Sequence, residues 1–465
     1  MSFLTIILFF LVGLSFIYLI DKSLDLLLLV GLSFPVGVAV MSAVLFFNDT
    51  VLNVSLQPLS FLITTIALTI LFFGIAIKKQ GMPHISKEGL NVPSLNFGAI
   101  FFFTVMAYVF YWLFQKAVFW PTTSYDSIAG YDFLAKVIAS EGVFNNSIFE
   151  TEHDLAGRRF LYPPMMPITF SIAYMFEYSP KVITMLFYGC TLISFFAFTR
   201  KHSGAFGAAL FTFFLAIVPE YAAMAALTLT NVPQVLFTMA GIILLFEWLN
   251  NQEISKFYLA SFLISMGIWL RTEGIIFAAA GFIFILFDFI KNKNFKPAII
   301  YSILIIIPFL SWELYVEYAL SLSDKKQPFQ YALFWDYNKI SMILSKVYKI
   351  TLSTQYYGYT VIIFFIGVLI NVKTKIYSQK ELLLTIIGAW VLYLIIFYQI
   401  DNFNEGKLVG NYIRAGYKRG LFNFFPLMLY YVATVEPINS FFKKYLSWII
   451  NQIEFFKTIH NCTCL

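Results

Sequence analysis

Apolar runs of about 20 residues recur along this chain, parted by short polar breaks. They predict helices near 3–20, 25–47, 59–77, 97–118, 180–199, 204–219, 232–249, 257–270, 274–290, 297–319, 357–371, 382–400 and 421–436. Most are long enough to approach the roughly 30 Å of a hydrocarbon core. In lipid every backbone amide needs an internal partner, so such runs are helices. The alternation of a transmembrane barrel strand is absent. The expected fold is an all-α polytopic bundle of about 13 spans, with a large first outer loop carrying interfacial helices.

Composition agrees. Of 465 residues, 60% are hydrophobic, 20% aromatic and only 12% charged, against roughly 25% charged in soluble domains. The net charge of +6 lies in short clusters between spans, so nucleic acid is not an expected partner. The N-terminus lacks a basic region and a clear cleavage site, and reads as a retained span. Three cysteines make no disulfide framework. The last four residues, Cys462 to Leu465, fit the bare prenylation format, but neither middle residue is aliphatic and no anchor is needed. Asn48, Asn53, Asn145 and Asn461 open N-x-S/T triplets, common by chance.

Basic residues gather on the cytoplasmic side of membrane proteins. Lys78-Lys79, Arg200-Lys201, Lys256, Lys291/Lys293/Lys296, Lys373/Lys375/Lys380 and Lys443-Lys444 agree on one face, provided that the run 163–178 does not cross. That run opens "YPPMMP", which bars a regular helical entry. It should lie along the outer surface or dip in and return. The N-terminus is then outside and the C-terminus inside. Three segments follow: additional helices over 1–96, a core over 97–320 with outer loop 119–178, and 321–465 with outer loops 321–356 and 401–420. Arg158-Arg159 and Lys407, Arg414, Lys418 and Arg419 defy the bias by lying outside, which suggests that they hold an anion.

"SYDSIAGYDFLAKVIASEG", 124–142, places acids where the chain leaves the bilayer. Ile128, Tyr131, Leu134, Ala135 and Ile138 share one helical face, and Asp132, Lys136 and Ser140 another. An interfacial helix of about four turns follows. Asp126 is an N-cap or a general base. Asp132 and Lys136 form an i,i+4 pair, and Gly142 is a C-cap. Further on, Thr230-Asn231-Val232-Pro233 opens a span, Arg271 and Glu273 sit between two spans, and "GYKRGLFNFF" leads into the last span. Phe422 and Phe425 are candidates to line a lipid-tail groove or to anchor at the interface.

In this order the pieces resemble the GT-C superfamily, integral-membrane glycosyltransferases that use lipid-phosphate sugar donors. The closest look is to the protein O-mannosyltransferase and aminoarabinose-transferase branch. There the first outer loop reads D-x-x-x-Y-H or D-E-x-x-Y, followed by Y/H-P-P-L, T-D-x-P-L and R/K-x-E-G. The resemblance covers 97–290, and 401–436 loosely. It implies that Asp126 stands for the catalytic aspartate, with Asp132 a second catalytic candidate where histidine often stands and Tyr131 a pocket residue where tyrosine does. Asn231 replaces the usual aspartate. Arg158, Arg159, Arg271, Arg414, Lys418 and Arg419 are donor-phosphate candidates, and Tyr162 and Glu273 are further pocket residues. The implied chemistry is single displacement with inversion, a carboxylate taking the acceptor proton and positive charge holding the leaving phosphate. The acceptor would be a glycan, lipid or protein at the outer (periplasmic, extracellular or lumenal) face. Some relatives carry a divalent metal, for which Glu150, Glu152, His153 and Asp154 are candidate ligands without tight spacing. The alternative is a lipid-linked oligosaccharide flippase or other carrier. Carriers place ionisable residues at mid-membrane depth and often show internal repeats; this chain shows few of the former and none of the latter. A non-enzymatic scaffold leaves the outer basic clusters unexplained.

Overall fold

The computed structural model describes residues 2–81, 97–151, 163–320, 335–374, 379–399 and 413–442. Among them there is no strand. The helices in order are α1 (Ser2–Ile20), α2 (Leu26–Thr50), α3 (Pro58–Gln80), α4 (Phe97–Phe119), α5 (Asp132–Glu141), α6 (Ser147–Thr151), α7 (Met165–Met175), α8 (Lys181–Ala216), α9 (Pro219–Ala225) and α10 (Asn231–Asn251). They continue with α11 (Ile254–Leu270), α12 (Gly274–Asn292), α13 (Lys296–Leu314), α14 (Tyr337–Thr351), α15 (Thr354–Tyr357), α16 (Thr360–Lys373), α17 (Lys380–Gln399), α18 (Lys418–Gly420) and α19 (Phe425–Thr434). Among the described residues nine helices are long and apolar enough to cross a membrane, and a tenth span forms if Lys418–Thr434 joins the bent Glu436–Phe442 helix. Helices α11 and α16 are shorter apolar helices.

Every expected span falls on a helix, with one difference. The runs 180–199 and 204–219 form one 36-residue element, α8, broken inside at Gly204 (φ 69°, ψ −179°). No atom lies within 4 Å of a Cβ built there, so the left-handed backbone, not space, demands glycine.

Polar contacts sort the helix ends into two groups. At one end Gln80 Nε2 donates to Leu19 O (2.8 Å), Arg200 pairs with Asp25, and Lys201 and Lys256 pair with Glu247 at 2.7 and 3.0 Å. At the other, Thr5 donates to Tyr178 (3.1 Å), Ser179 to Ala117 O (3.0 Å) and Leu56 N to Gly142 O (2.6 Å). The clusters Lys78-Lys79, Arg200-Lys201 and Lys256 thus share the first end, as the charge bias requires. Helix α7 stays at the second end, since Tyr174 meets α5 and Tyr178 meets the start of α1. It does not lie on the surface: Met165 through Ala173 are all buried, packed against α5 and α2. Prolines 163 and 164 sit just before it, where they cost no helical hydrogen bond.

Helix α10 is the axis of the bundle, its apolar window wholly buried, whereas those of α3 and α4 are 17% and 11% buried and face lipid. Helix α8 packs on α2, α4, α10 and α19, so it joins all three segments expected from the sequence. Without a hydrophobic drive between helices in lipid, close backbone approach does the holding. Helices α1 and α2 show it: a Cβ on Gly13 would fall 1.8 Å from Ser33 O, and one on Gly37 1.7 Å from Phe9 O.

Gly37→Ala should therefore force α1 from α2 and lower stability by about 1–3 kcal/mol. Thermal unfolding in detergent checks this, with Gly74→Ala as the control, since nothing lies within 4 Å of a Cβ at Gly74. For orientation, thiol reagents outside intact cells should label Ser140→Cys and miss Asn294→Cys; the reverse pattern would invert the topology.

Candidate functional site

Helix α4 ends at Phe119, and Pro121 turns the chain toward Asp126. Asp126 has helical dihedrals (φ −62°, ψ −30°) and its side chain caps nothing. It forms an ion pair with Arg419 instead, 293 residues away. The expected four-turn helix is broken. Ser127–Tyr131 is a π turn in which Gly130 leaves helical geometry (φ −143°, ψ −105°), and α5 begins only at Asp132. The turn is fastened to the chain before α10. Ser127 Oγ donates to Thr228 O at 3.2 Å, and Tyr131 OH accepts from Thr230 Oγ1 at 3.2 Å.

Thr230 in turn accepts from Arg271 Nη1 at 3.0 Å. Arg271 is extended backbone between α11 and α12, is buried, and grips one oxygen of Glu273 through Nη2 (2.6 Å) and Nε (2.9 Å). A continuous polar line thus runs from Glu273 through Arg271 and Thr230 to Tyr131. Asn231, buried, starts α10 directly beside it.

Asp132 goes elsewhere. Of the face expected to be polar, Lys136 and Ser140 are exposed, but Asp132 is only 3% exposed. It keeps the i,i+4 pair with Lys136 (3.0 Å) and accepts a 2.5 Å hydrogen bond from Tyr174 of α7. Burial first, then the bond to Asp132 and its negative charge, push the Tyr174 phenol far above its ordinary range. Tyr174 therefore stays a donor and pins α5 to α7. Gly142 does close α5, with φ 72°, and Glu141 accepts from Ser147 N (3.0 Å) at the start of α6.

The basic residues before the last span divide between two acids. Lys418 pairs with Glu220 of α9 at 2.6 Å, with Nζ 4.6 Å from the Tyr356 ring centre. Arg419 turns to Asp126, and its Nε is buried without a hydrogen-bond partner among the described residues. Glu220 was missed by sequence reasoning; its one signal is an acid following a proline where an apolar run ends. Phe422 and Phe425 line no lipid-facing groove. Both are buried, against Tyr221 and Tyr357.

Arg158, Arg159, Tyr162, Lys407, Glu152, His153 and Asp154 lie outside the described residues, as do the side chains of Arg414 and Glu150. Among the described residues no three His, Cys, Asp or Glu side chains gather as metal ligands.

The site therefore gathers Asp126, Arg419, Lys418, Glu220, Tyr131, Thr230, Arg271 and Glu273 at one end of the bundle. The family model for dolichyl-phosphate-mannose-protein mannosyltransferases matches residues 162–312, less than half of the chain. The matched stretch runs from Tyr162 to Trp312 within α13 and contains the Arg271–Thr230 line; Asp126 and Arg419 lie outside it. The match indicates a membrane glycosyltransferase. No curated protein and no solved structure matches the chain.

The Asp126–Arg419 pair should be measurable as a coupling. Their side chains are 20% and 27% exposed, so the coupling should fall to about 1 kcal/mol, below that of a buried pair. Thermal midpoints of Asp126→Ala, Arg419→Ala and the double variant give the cycle, and additive losses would mean that the pair contributes nothing.

Proposed function

We propose that this chain is a GT-C-type glycosyltransferase that moves a sugar from a polyprenyl-phosphate donor to an acceptor hydroxyl at the Asp126 end of the bundle. The matched family's description names dolichyl-phosphate-mannose and protein, so mannose transfer to a protein hydroxyl is the first pair to test. The carrying observation is the ion pair of Asp126 with Arg419. It sets a carboxylate and a permanently charged guanidinium side by side where the chain leaves the lipid-facing helix α4.

The chemistry follows from that pairing. The acceptor oxygen attacks the anomeric carbon, the bond to the phosphate oxygen breaks, and the configuration inverts. The acceptor proton passes to Asp126. The phosphate departs with the bond electrons and needs donors already in place. Arginine suits it, because its planar fork pairs with phosphate oxygens and keeps its charge. The Arg419 Nε, buried and without a hydrogen-bond partner among the described residues, supports this role. Arg271 is committed to Glu273 and Thr230, which fits it better to orienting the site. Lys78-Lys79, Arg200-Lys201 and Lys256 lie at the opposite end, so the bias in basic residues turns Asp126 to the outer face.

The transport reading gains no support. Of the buried acids, Glu247 and Asp288 sit at the far end, the first paired with lysines and the second with Gln252 and Asn292, while Asp49 and Asp132 sit at the Asp126 end, bonded to Phe144 N–H and Tyr174.

Asp126→Asn keeps size and removes the basic carboxylate. Transfer from mannosyl polyprenyl phosphate to a serine/threonine peptide should fall by about 100-fold or more, with folding and donor binding retained. Near-normal transfer would remove Asp126 from the chemistry. Arg419→Ala should weaken polyprenyl-phosphate binding by about 2–5 kcal/mol and Lys407→Ala far less. Equal, mild losses would sink the donor-site assignment.

A further inference from the structure

Helices α1–α3 precede the matched region and carry none of the residues assigned above, yet α1, α2 and the α2–α3 connection hold the back of the Asp126 loop. Asp49, in the last turn of α2, is buried and accepts a 2.9 Å hydrogen bond from Phe144 N–H. From the α2–α3 connection, Leu56 N–H donates to Gly142 O at 2.6 Å. Gly142 is the left-handed cap of α5, so the two bonds pin the turn at which the chain leaves that helix. The Phe144 ring is fully buried, 5.4 Å from Phe46 of α2 and 6.0 Å from Trp312 of α13, centre to centre. Helix α7, which grips Asp132 through Tyr174, packs on α2, and Thr5 of α1 holds Tyr178 just beyond it. Helix α2 has little freedom to yield, because Gly13 and Gly37 let its backbone touch that of α1.

We infer that α1, α2 and the α2–α3 connection are the foundation of the site, and that Asp49 is a positioning residue for the segment carrying Asp126. Helix α5 is a short rod of 10 residues, about 15 Å long. A shift where it ends is passed to where it starts, and the π turn beginning one residue after Asp126 starts it. An apolar residue at position 49 would leave the Phe144 amide buried without its acceptor, and the turn would move to find one. The catalytic consequence rests on the glycosyltransferase reading; the structural coupling does not.

The test uses the full chain in detergent, comparing Asp49→Ala with Asp49→Asn, whose amide oxygen can accept the same bond. In Asp49→Ala, hydrogen exchange should rise over 142–149 and also over 126–131. Mannose transfer to the peptide should fall about 10–100-fold in kcat, as displaced catalytic groups do, with donor KM within about 2-fold. Asp49→Asn should restore both. Faster exchange confined to 142–149, or unchanged kcat beside altered exchange at 126–131, would overturn the inference. A wild-type protein that transfers no sugar defeats the glycosyltransferase reading by itself, and the exchange pattern then decides the coupling alone. Should Asp49→Ala not fold, Leu56→Pro, which removes the second backbone donor, takes the same measurements.

Discussion

A carboxylate and a guanidinium at the end of a lipid-embedded bundle each need the other. Neither Asp126 nor Arg419 is fully solvated, and their pairing offsets part of the hydration each has lost. Their pairing fixes the relation between the first large loop and the turn before the last helix. Much else at that end follows. Residues 413–424 run through a π turn, the three-residue α18 and a 3-10 turn rather than one regular helix. That irregular path lets neighbouring residues serve different loops, Lys418 reaching Glu220 and Arg419 reaching Asp126. The loop answers with its own irregularity at Gly130, which brings Ser127 to Thr228 and Tyr131 to Thr230.

The spans were legible because the bilayer imposes one length and one composition on whatever crosses it. Local signals were legible too: Gly142 as the cap of α5, the Asp132–Lys136 pair, Arg271 beside Glu273, and a helix starting at Asn231. What stayed hidden depends on how helices are rotated and packed. Asp126 had the look of an N-cap, and only the fold brings it an arginine 293 residues on. Asp132 was placed on a polar face, but α7 packs over its end of that face and supplies Tyr174, while Lys136 and Ser140 stay exposed. The run 163–178 was expected not to cross, and its contacts keep it at one end; the burial of Met165–Ala173 depended on α2 and α5 being there to cover it. Asp49 showed no signal at all, because a buried acid at a helix end reads as an ordinary solvated one.

In the glycosyltransferase reading, charge alone orders the site. A donor phosphate near Asp126 sets two negative groups together, a repulsion of about 4 kcal/mol at 4 Å with an effective dielectric near 20. The acceptor hydroxyl must reach both the carboxylate and the anomeric carbon, so the two anions cannot simply stand apart. A cation between them resolves the conflict. It must touch the carboxylate on one side and offer further donors on the other, and it must not lose its proton in the exchange. Lysine offers a single point of charge, and Lys418 is already drawn to Glu220. Arg419 has the forked shape, the contact with Asp126 and, among the described residues, an N–H without a partner. Such an arrangement needs the loop held still from behind, since any retreat of Asp126 from Arg419 would leave two anions and one cation out of register. That is the load that Asp49, Leu56 and the close crossing of α1 and α2 are placed to bear.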